Sequence, residues 1–291
     1  MRSLAALGLI LFAACEARAP EPSAAQPSKQ STQAEAPATV EPRPQARSNN
    51  APISRQEPSR QEPAPQELPA VAGVHYLEIV TGDADPNSEL PMIIAIHGLG
   101  DSPKGFSGLL ARFDRPARVI LPRALDAHEP GWSWFPLRAR DNDVESLARG
   151  IKHAADTLAP VIKQLSEQRP TDGKPIVTGF SQGGMLAFTL AIHHGELFSA
   201  AFPVGGWMPP PLMPTADADP KKSPPIVAFH GDADRAVAFE PTAAMVRELQ
   251  RAGYKVELNA YAGVGHAIPE AMHAELLSNL REAVAEVGDS H

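Results

Sequence analysis

Ser181 sits in the run Ile176-Val177-Thr178-Gly179-Phe180-Ser181-Gln182-Gly183-Gly184-Met185. The pentapeptide Gly179-Phe180-Ser181-Gln182-Gly183 is G-x-S-x-G, and its context constrains the chain more than its letters do. An apolar, β-prone stretch from Pro175 to Thr178 leads in, and a helix-forming stretch from Met185 to His193 leads out. A serine on a sharp strand-to-helix turn adopts strained backbone angles and presents its Oγ to solvent. Side chains at Gly179 and Gly183 would collide as the chain doubles back. The first amides of the following helix point at the space beside Oγ, where a developing oxyanion needs donors.

Three more segments carry complementary chemistry. Ile226 to Phe229 reads as an apolar strand running into His230-Gly231-Asp232-Ala233-Asp234, a polar loop with two aspartates. Val256 to Tyr261 alternates apolar positions and is followed by Ala262-Gly263-Val264-Gly265-His266, a histidine in a glycine-rich loop. The chain order Ser, Asp, His is that of an α/β-hydrolase triad. A serine hydroxyl is a weak nucleophile until an imidazole takes its proton, and a carboxylate must fix that imidazole's tautomer. Upstream, the apolar run Met92 to Ile96 ends in His97-Gly98-Leu99-Gly100-Asp101. A second oxyanion donor comes from the loop after such an early strand. The backbone amides of Leu99 and of Gln182 are therefore the two candidate donors.

Taken together, H-G-L-G-D, G-F-S-Q-G-G, H-G-D-x-D-x-x-V and a late G-x-G-H resemble the phospholipase/carboxylesterase family, which includes acyl-protein thioesterases. The resemblance runs from about Val74 to the C-terminus. It implies a serine hydrolase of small α/β-hydrolase fold, acting on carboxylic esters, thioesters or lysophospholipids. By motif it assigns Ser181 as nucleophile, Asp234 rather than Asp232 as acid, and His266 as base. Two segments depart from the family pattern: Gly131-Trp132-Ser133-Trp134-Phe135-Pro136, and the proline-rich loop from Met208 to Pro214. Both are expected at the substrate cleft.

The N-terminal quarter reads differently. Arg2, an apolar run from Leu4 to Phe12 and Ala13-Ala14 make a short leader over residues 1–14. Phe12-Ala13-Ala14-Cys15 resembles a bacterial lipobox, and Cys15 is the sole cysteine of the chain. The apolar run is shorter than the ~20 residues that span a bilayer, so Cys15 is the expected lipidation site. An exported lipoprotein on the outer membrane or cell surface of a bacterium follows, held to the membrane by that anchor. Residues 15–71 form a tether: residues 16–71 contain eleven prolines and no aromatic residue, too little apolar surface to offset ordering entropy. As a flexible coil it spans roughly 40 Å.

Residues 72–291 remain for one catalytic domain. Apolar strands alternating with helical patterns predict a mostly parallel sheet with helices on both faces and no large lid. Strands are expected at Leu77–Val80 and Ala117–Leu121. Helices are expected after Ser102-Pro103, over Val144–Gln164, over Pro241–Arg251 and over Glu270–Val287. The formal charge of −8 comes with no basic patch of nucleic-acid type, and no phosphate-binding G-x-x-x-x-G-K-[ST] loop occurs. His193 and His194 are adjacent on a helix and read as packing or surface residues; His97 and His230 precede glycines and shape their loops. The mechanism calls for no metal or cofactor. Trp132, Trp134, Phe135, Trp207 and Met208 are candidates for an apolar acyl pocket. The alternatives are a peptidase on the same fold and a tethered binding domain with a degenerate site. Oligomeric state is not legible.

Overall fold

The computed structural model describes residues 67–288. The expected leader at 1–14, Cys15 and the tether as far as residue 66 lie outside the described residues. The elements in chain order are β1 (Ala70–Val71), β2 (Val74–Thr81), β3 (Leu90–Ile96), α1 (Pro103–Phe106), β4 (Ala117–Pro122), β5 (Asp126–His128), β6 (Gly131–Ser133), α2 (Val144–Gln168), β7 (Thr171–Phe180), α3 (Gln182–His193), β8 (Ala200–Val204), β9 (Ile226–Gly231), α4 (Phe239–Arg251), β10 (Val256–Tyr261) and α5 (Glu270–Gly288).

Eight strands form one sheet in the order β1-β2-β4-β3-β7-β8-β9-β10, and β5 and β6 form a separate hairpin. β1 and β2 run antiparallel to their neighbours, whereas β4, β3, β7, β8, β9 and β10 are mutually parallel. A parallel sheet must be covered on both faces, and its central strands are then apolar throughout. All seven residues of β3 are buried accordingly. One apolar core packs α2, α3 and α4 on one face, and a second packs α1 and α5 on the other. β1 pairs Ala70 with His75, so strand pairing begins two residues before the boundary expected at 72.

The helices start and stop for local reasons. Ser102 Oγ accepts a hydrogen bond from the Gly105 amide at 3.1 Å, with Pro103 at the first helical position. That helix, α1, lasts only four residues before it tightens into a 3₁₀ turn at Ser107–Leu110. The expected stripe Leu147, Ile151, Ala155, Leu158 and Ile162 is the buried face of α2. The helix runs four residues past the expected Gln164, because Leu165 continues that stripe. It ends at Arg169, which is extended because Pro170 follows.

Candidate active site

The carboxyl ends of the parallel strands all reach one edge of the sheet, where ligands of open α/β sheets bind. Leu99 follows β3, Ser181 lies between β7 and α3, Asp234 follows β9, and His266 follows β10. The register brings these strand ends level: Ile96 pairs with Gly179, Phe180 with Val204, and Gly231 with Tyr261.

Ser181 has φ 58° and ψ −116°, a conformation that non-glycine residues seldom adopt. Two crossings hold it there. A Cβ on Gly179 would come within 2.8 Å of the Ile96 carbonyl oxygen, and one on Gly183 would overlap that same oxygen. The Ser181 amide meanwhile donates to the Val204 carbonyl at 3.0 Å. The turn is thus fixed by backbone packing from both neighbouring strands, and Oγ is left at the edge of a cleft.

Ser181 Oγ lies 2.8 Å from His266 Nε2, and His266 Nδ1 lies 2.6 Å from Asp234 Oδ2. The other carboxylate oxygen of Asp234 accepts from the amides of Ala236 and Val237 at 2.8 and 3.0 Å. A buried carboxylate with these donors stays oriented toward the imidazole. Asp232 points elsewhere. It is exposed, and its Oδ1 accepts from the Gly263 amide at 2.6 Å, tying the β9 loop to the β10 loop that carries His266. His230 is buried beneath Asp234. Burial pushes its pKa below the ordinary histidine value, and Nε2–H donates to the Val237 carbonyl at 2.9 Å.

The loop after β3 is held by β6. The Gly100 amide donates to the Trp132 carbonyl at 2.8 Å, and the Trp132 amide donates to the Asp101 carbonyl at 2.9 Å. This pairing fixes the backbone around Leu99. Gln182 contributes more than its amide. Its side chain accepts from the Trp134 amide at 3.0 Å and donates to the Phe135 carbonyl at 2.8 Å, pinning the segment after β6. His97 is buried, with its pKa lowered by burial, and accepts from the Ala124 amide at 3.2 Å. Both histidines that were expected to shape loops make such contacts.

A cavity of about 370 Å³ opens beside Ser181. Its apolar wall includes Phe135, Leu137, Phe180, Met185 and Val237. The expected aromatic acyl pocket needs correction here, since Phe135 alone of its five candidates lines this cavity. Trp134 and Met208 are 1% exposed and belong to the core. The Trp134 indole N–H donates to the His97 carbonyl at 2.9 Å, so Trp134 braces a loop. Trp132 lies under the Arg123 guanidinium, 4.1 Å from its ring centroid, and Trp207 packs against the core. The proline-rich loop also lies away from the cavity. Its 3₁₀ turn at Pro210–Leu212 buries Leu212 in the core and accepts from His193 Nε2 at 2.8 Å. The wall that the sequence did not suggest is Leu137-Arg138-Ala139-Arg140, from the β6–α2 connection. Its one sequence signal was a pair of arginines in a loop directly after the aromatic segment.

Comparison with known proteins agrees with this architecture. A model of the phospholipase/carboxylesterase family matches residues 76–283. An acyl-protein thioesterase 1 of Gibberella zeae is 27% identical over 205 residues, covering 62% of this chain and 85% of that one. A probable carboxylesterase of Oryza sativa subsp. japonica is 27% identical over 198 residues, covering 60% and 71%. Among solved structures, esterase PE8 superposes with a TM-score of 0.62 at 21% identity, over 72% of this chain and 99% of that one. Arabidopsis thaliana SOBER1 gives 0.55 at 25% identity, over 66% and 98%. With its family motifs spread over the same residues as the sheet and its loops, the chain belongs to the phospholipase/carboxylesterase family.

Proposed function

We propose that this protein is a serine hydrolase that cleaves carboxylic esters or thioesters through an acyl-enzyme on Ser181. The observation that carries the reading is the hydrogen-bonded line from Ser181 Oγ through His266 to Asp234, with Ser181 held at a strained elbow. His266 Nε2 takes the Ser181 proton as Oγ attacks the substrate carbonyl. The Leu99 and Gln182 amides donate to the tetrahedral oxyanion. Neither amide donates to another group of the protein among the described residues. His266 then protonates the departing alcohol or thiol. Water activated by the same imidazole releases the acid. Asp234 holds the imidazole in the tautomer that leaves Nε2 free to accept, and stabilises it when protonated.

The names of the relatives, carboxylesterase and acyl-protein thioesterase, support ester and thioester substrates. The cavity of about 370 Å³ suits a small acyl group or the first part of a longer chain. The N-terminal sequence adds a location to the proposal: export, and lipid attachment at Cys15. The test is labelling with a fluorophosphonate probe beside a panel of p-nitrophenyl esters of increasing acyl length. Wild type should label and turn over esters, and Ser181→Ala should do neither, losing on the order of 10⁴-fold or more in kcat. Label on another residue, or undiminished turnover in Ser181→Ala, overturns the reading. Hydrolysis of amides in preference to esters would favour a peptidase instead.

A further inference from the structure

The wall of the cavity formed by residues 137–140 carries two cationic side chains. Leu137 and Ala139 are half-buried and pack on the core, while Arg138 and Arg140 are exposed and line the cavity. The backbone between them is fixed. The Arg138 amide donates to Asp141 Oδ2 at 2.7 Å, and the Asp141 amide donates back to the Arg138 carbonyl at 3.0 Å. In that turn Asp141 Oδ2 accepts from backbone rather than from a guanidinium. Asp143, the next acidic residue, caps α2 through the Ser146 amide at 2.9 Å. Among the described residues, neither guanidinium has a hydrogen-bond or ionic partner. Asp101 is the one carboxylate among the residues that line the cavity, and its Oδ1 accepts from the Ser102 amide at 2.7 Å.

Two unpaired arginines beside a reactive serine are conspicuous in a chain whose formal charge is −8. A guanidinium fork matches the two oxygens of a carboxylate or phosphate, and it is more weakly hydrated than an ammonium. A cleft with apolar walls focuses the field of such charges on an incoming ligand. We propose that Arg138 and Arg140 make this cleft selective for esters that carry an anionic oxyacid group, carboxylate or phosphate, at a distance from the scissile carbonyl. The proposal rests on the esterase reading and names its substrate class. In it, Ser181 and His266 perform the same acyl transfer, and the two arginines bind the remote anion.

The experiment compares esters matched except for charge. One pair is p-nitrophenyl hydrogen glutarate and p-nitrophenyl methyl glutarate, with the anion on the acyl side. The other is 1-butyryl-glycerol 3-phosphate and 1-butyrylglycerol, with the anion on the alcohol side. The readout is the ratio of kcat/KM for the anionic over the neutral member, so any general loss of activity in a variant cancels. Wild type should favour the anionic member of at least one pair by about 10-fold or more, the scale of a charge-assisted contact. The double variant Arg138→Gln/Arg140→Gln should bring that ratio to within about 2-fold of unity. Arg138→Lys/Arg140→Lys should keep part of it, and Arg251→Gln, a remote cation on α4, should keep all of it. The pair that shows the preference tells which side of the ester carries the anion. If wild type hydrolyses the neutral esters but favours neither anionic partner, or if the preference survives in the glutamine variant, the proposal falls while the esterase reading stands. If wild type hydrolyses none of them and takes no fluorophosphonate label, both fall.

Discussion

The Phe180 ring stacks on the His266 imidazole, with centroids 4.7 Å apart and 28° between the planes. Phe180 is the residue before Ser181, so the elbow that aims Oγ also supplies the surface on which its histidine partner rests. Gly205 leaves room for both rings: a Cβ there would lie 3.1 Å from Phe180 and 3.5 Å from His266.

Removing that surface should loosen His266 without touching any hydrogen bond in the line. Phe180→Ala should lower kcat by roughly 2- to 10-fold, the worth of an aromatic contact of about 0.5–1.5 kcal/mol. Phe180→Tyr should retain most of the rate. Steady-state kinetics on one p-nitrophenyl ester checks this, and an unchanged kcat in Phe180→Ala would show that the imidazole holds its place without the ring.

Gln182 offers a separation of side-chain from backbone roles. Its side chain accepts from the buried Trp134 amide and donates to the Phe135 carbonyl, while its own amide is the proposed oxyanion donor. Gln182→Ala keeps the amide and strands the buried Trp134 amide, while the Phe135 carbonyl still accepts from Ser133 Oγ at 2.8 Å. It should cost about 1–3 kcal/mol of stability, a fall in Tm of several degrees, at roughly 2–4 °C per kcal/mol for a domain of this size. Calorimetry beside kinetics tests it. A wild-type Tm in the variant would mean that the segment after β6 is held by other contacts.

The two aspartates of the β9 loop should part cleanly. Asp234→Asn presents an amide to His266 Nδ1 and lets the wrong tautomer persist, so kcat should fall by up to ~10⁴-fold, as in other triads. Asp232→Asn changes one exposed contact to the Gly263 amide and should cost no more than about 1 kcal/mol of stability, with turnover largely kept. Measuring kcat and Tm of both variants decides it. A dead Asp232→Asn beside an active Asp234→Asn would reverse the assignment.

What the sequence revealed of this fold depended on how local each signal was. The elbow was legible because strand, turn and helix are contiguous in one ten-residue run, and the amphipathic stripe of α2 was legible for the same reason. β8 was not legible. It is five residues long, Ala200-Ala201-Phe202-Pro203-Val204, and Pro203 sits where a central strand rarely tolerates proline. The cleft wall was misjudged because aromatic residues signal burial as readily as binding. Trp134 and Met208 went to the core, and the cavity took part of its wall from Leu137 to Arg140, a loop that follows the segment pinned by the side chain of Gln182. The choice of Asp234 over Asp232 came from the family motif, since the local pattern by itself places both aspartates in one loop after an apolar strand.

Lipid attachment at Cys15 is a sequence-level expectation with a direct test. The mature protein should sediment with membranes, and Cys15→Ser should release it to the soluble fraction. A single acyl chain binds bilayers only marginally, with an association constant of ~10⁴ M⁻¹, so stable anchoring requires more than one chain. Mass spectrometry of the N-terminal peptide should therefore show a multiply acylated cysteine. Wild-type protein found wholly soluble after lysis would refute the anchor.

Acid sensitivity should trace to the two buried histidines behind the site. Burial holds His97 and His230 below their ordinary pKa of 6.5; His97 Nε2 must be unprotonated to accept from the Ala124 amide, while His230 Nε2–H donates to the Val237 carbonyl. In the unfolded chain both take up a proton as pH falls through about 6.5, while in the folded state they resist it. The unfolded state then binds more protons, so stability falls as pH drops below about 6.5 and is fully present above it. Each histidine can contribute a slope of at most about 1.4 kcal/mol per pH unit. Melting curves at pH 7.5, 6.5 and 5.5 isolate this window, because exposed carboxylates titrate near pH 4. Wild type should lose Tm between pH 6.5 and 5.5. His97→Gln/His230→Gln should start from a lower Tm at pH 7.5 but lose less of it over the same interval. An equally steep loss in the double variant would place the acid sensitivity elsewhere in the domain.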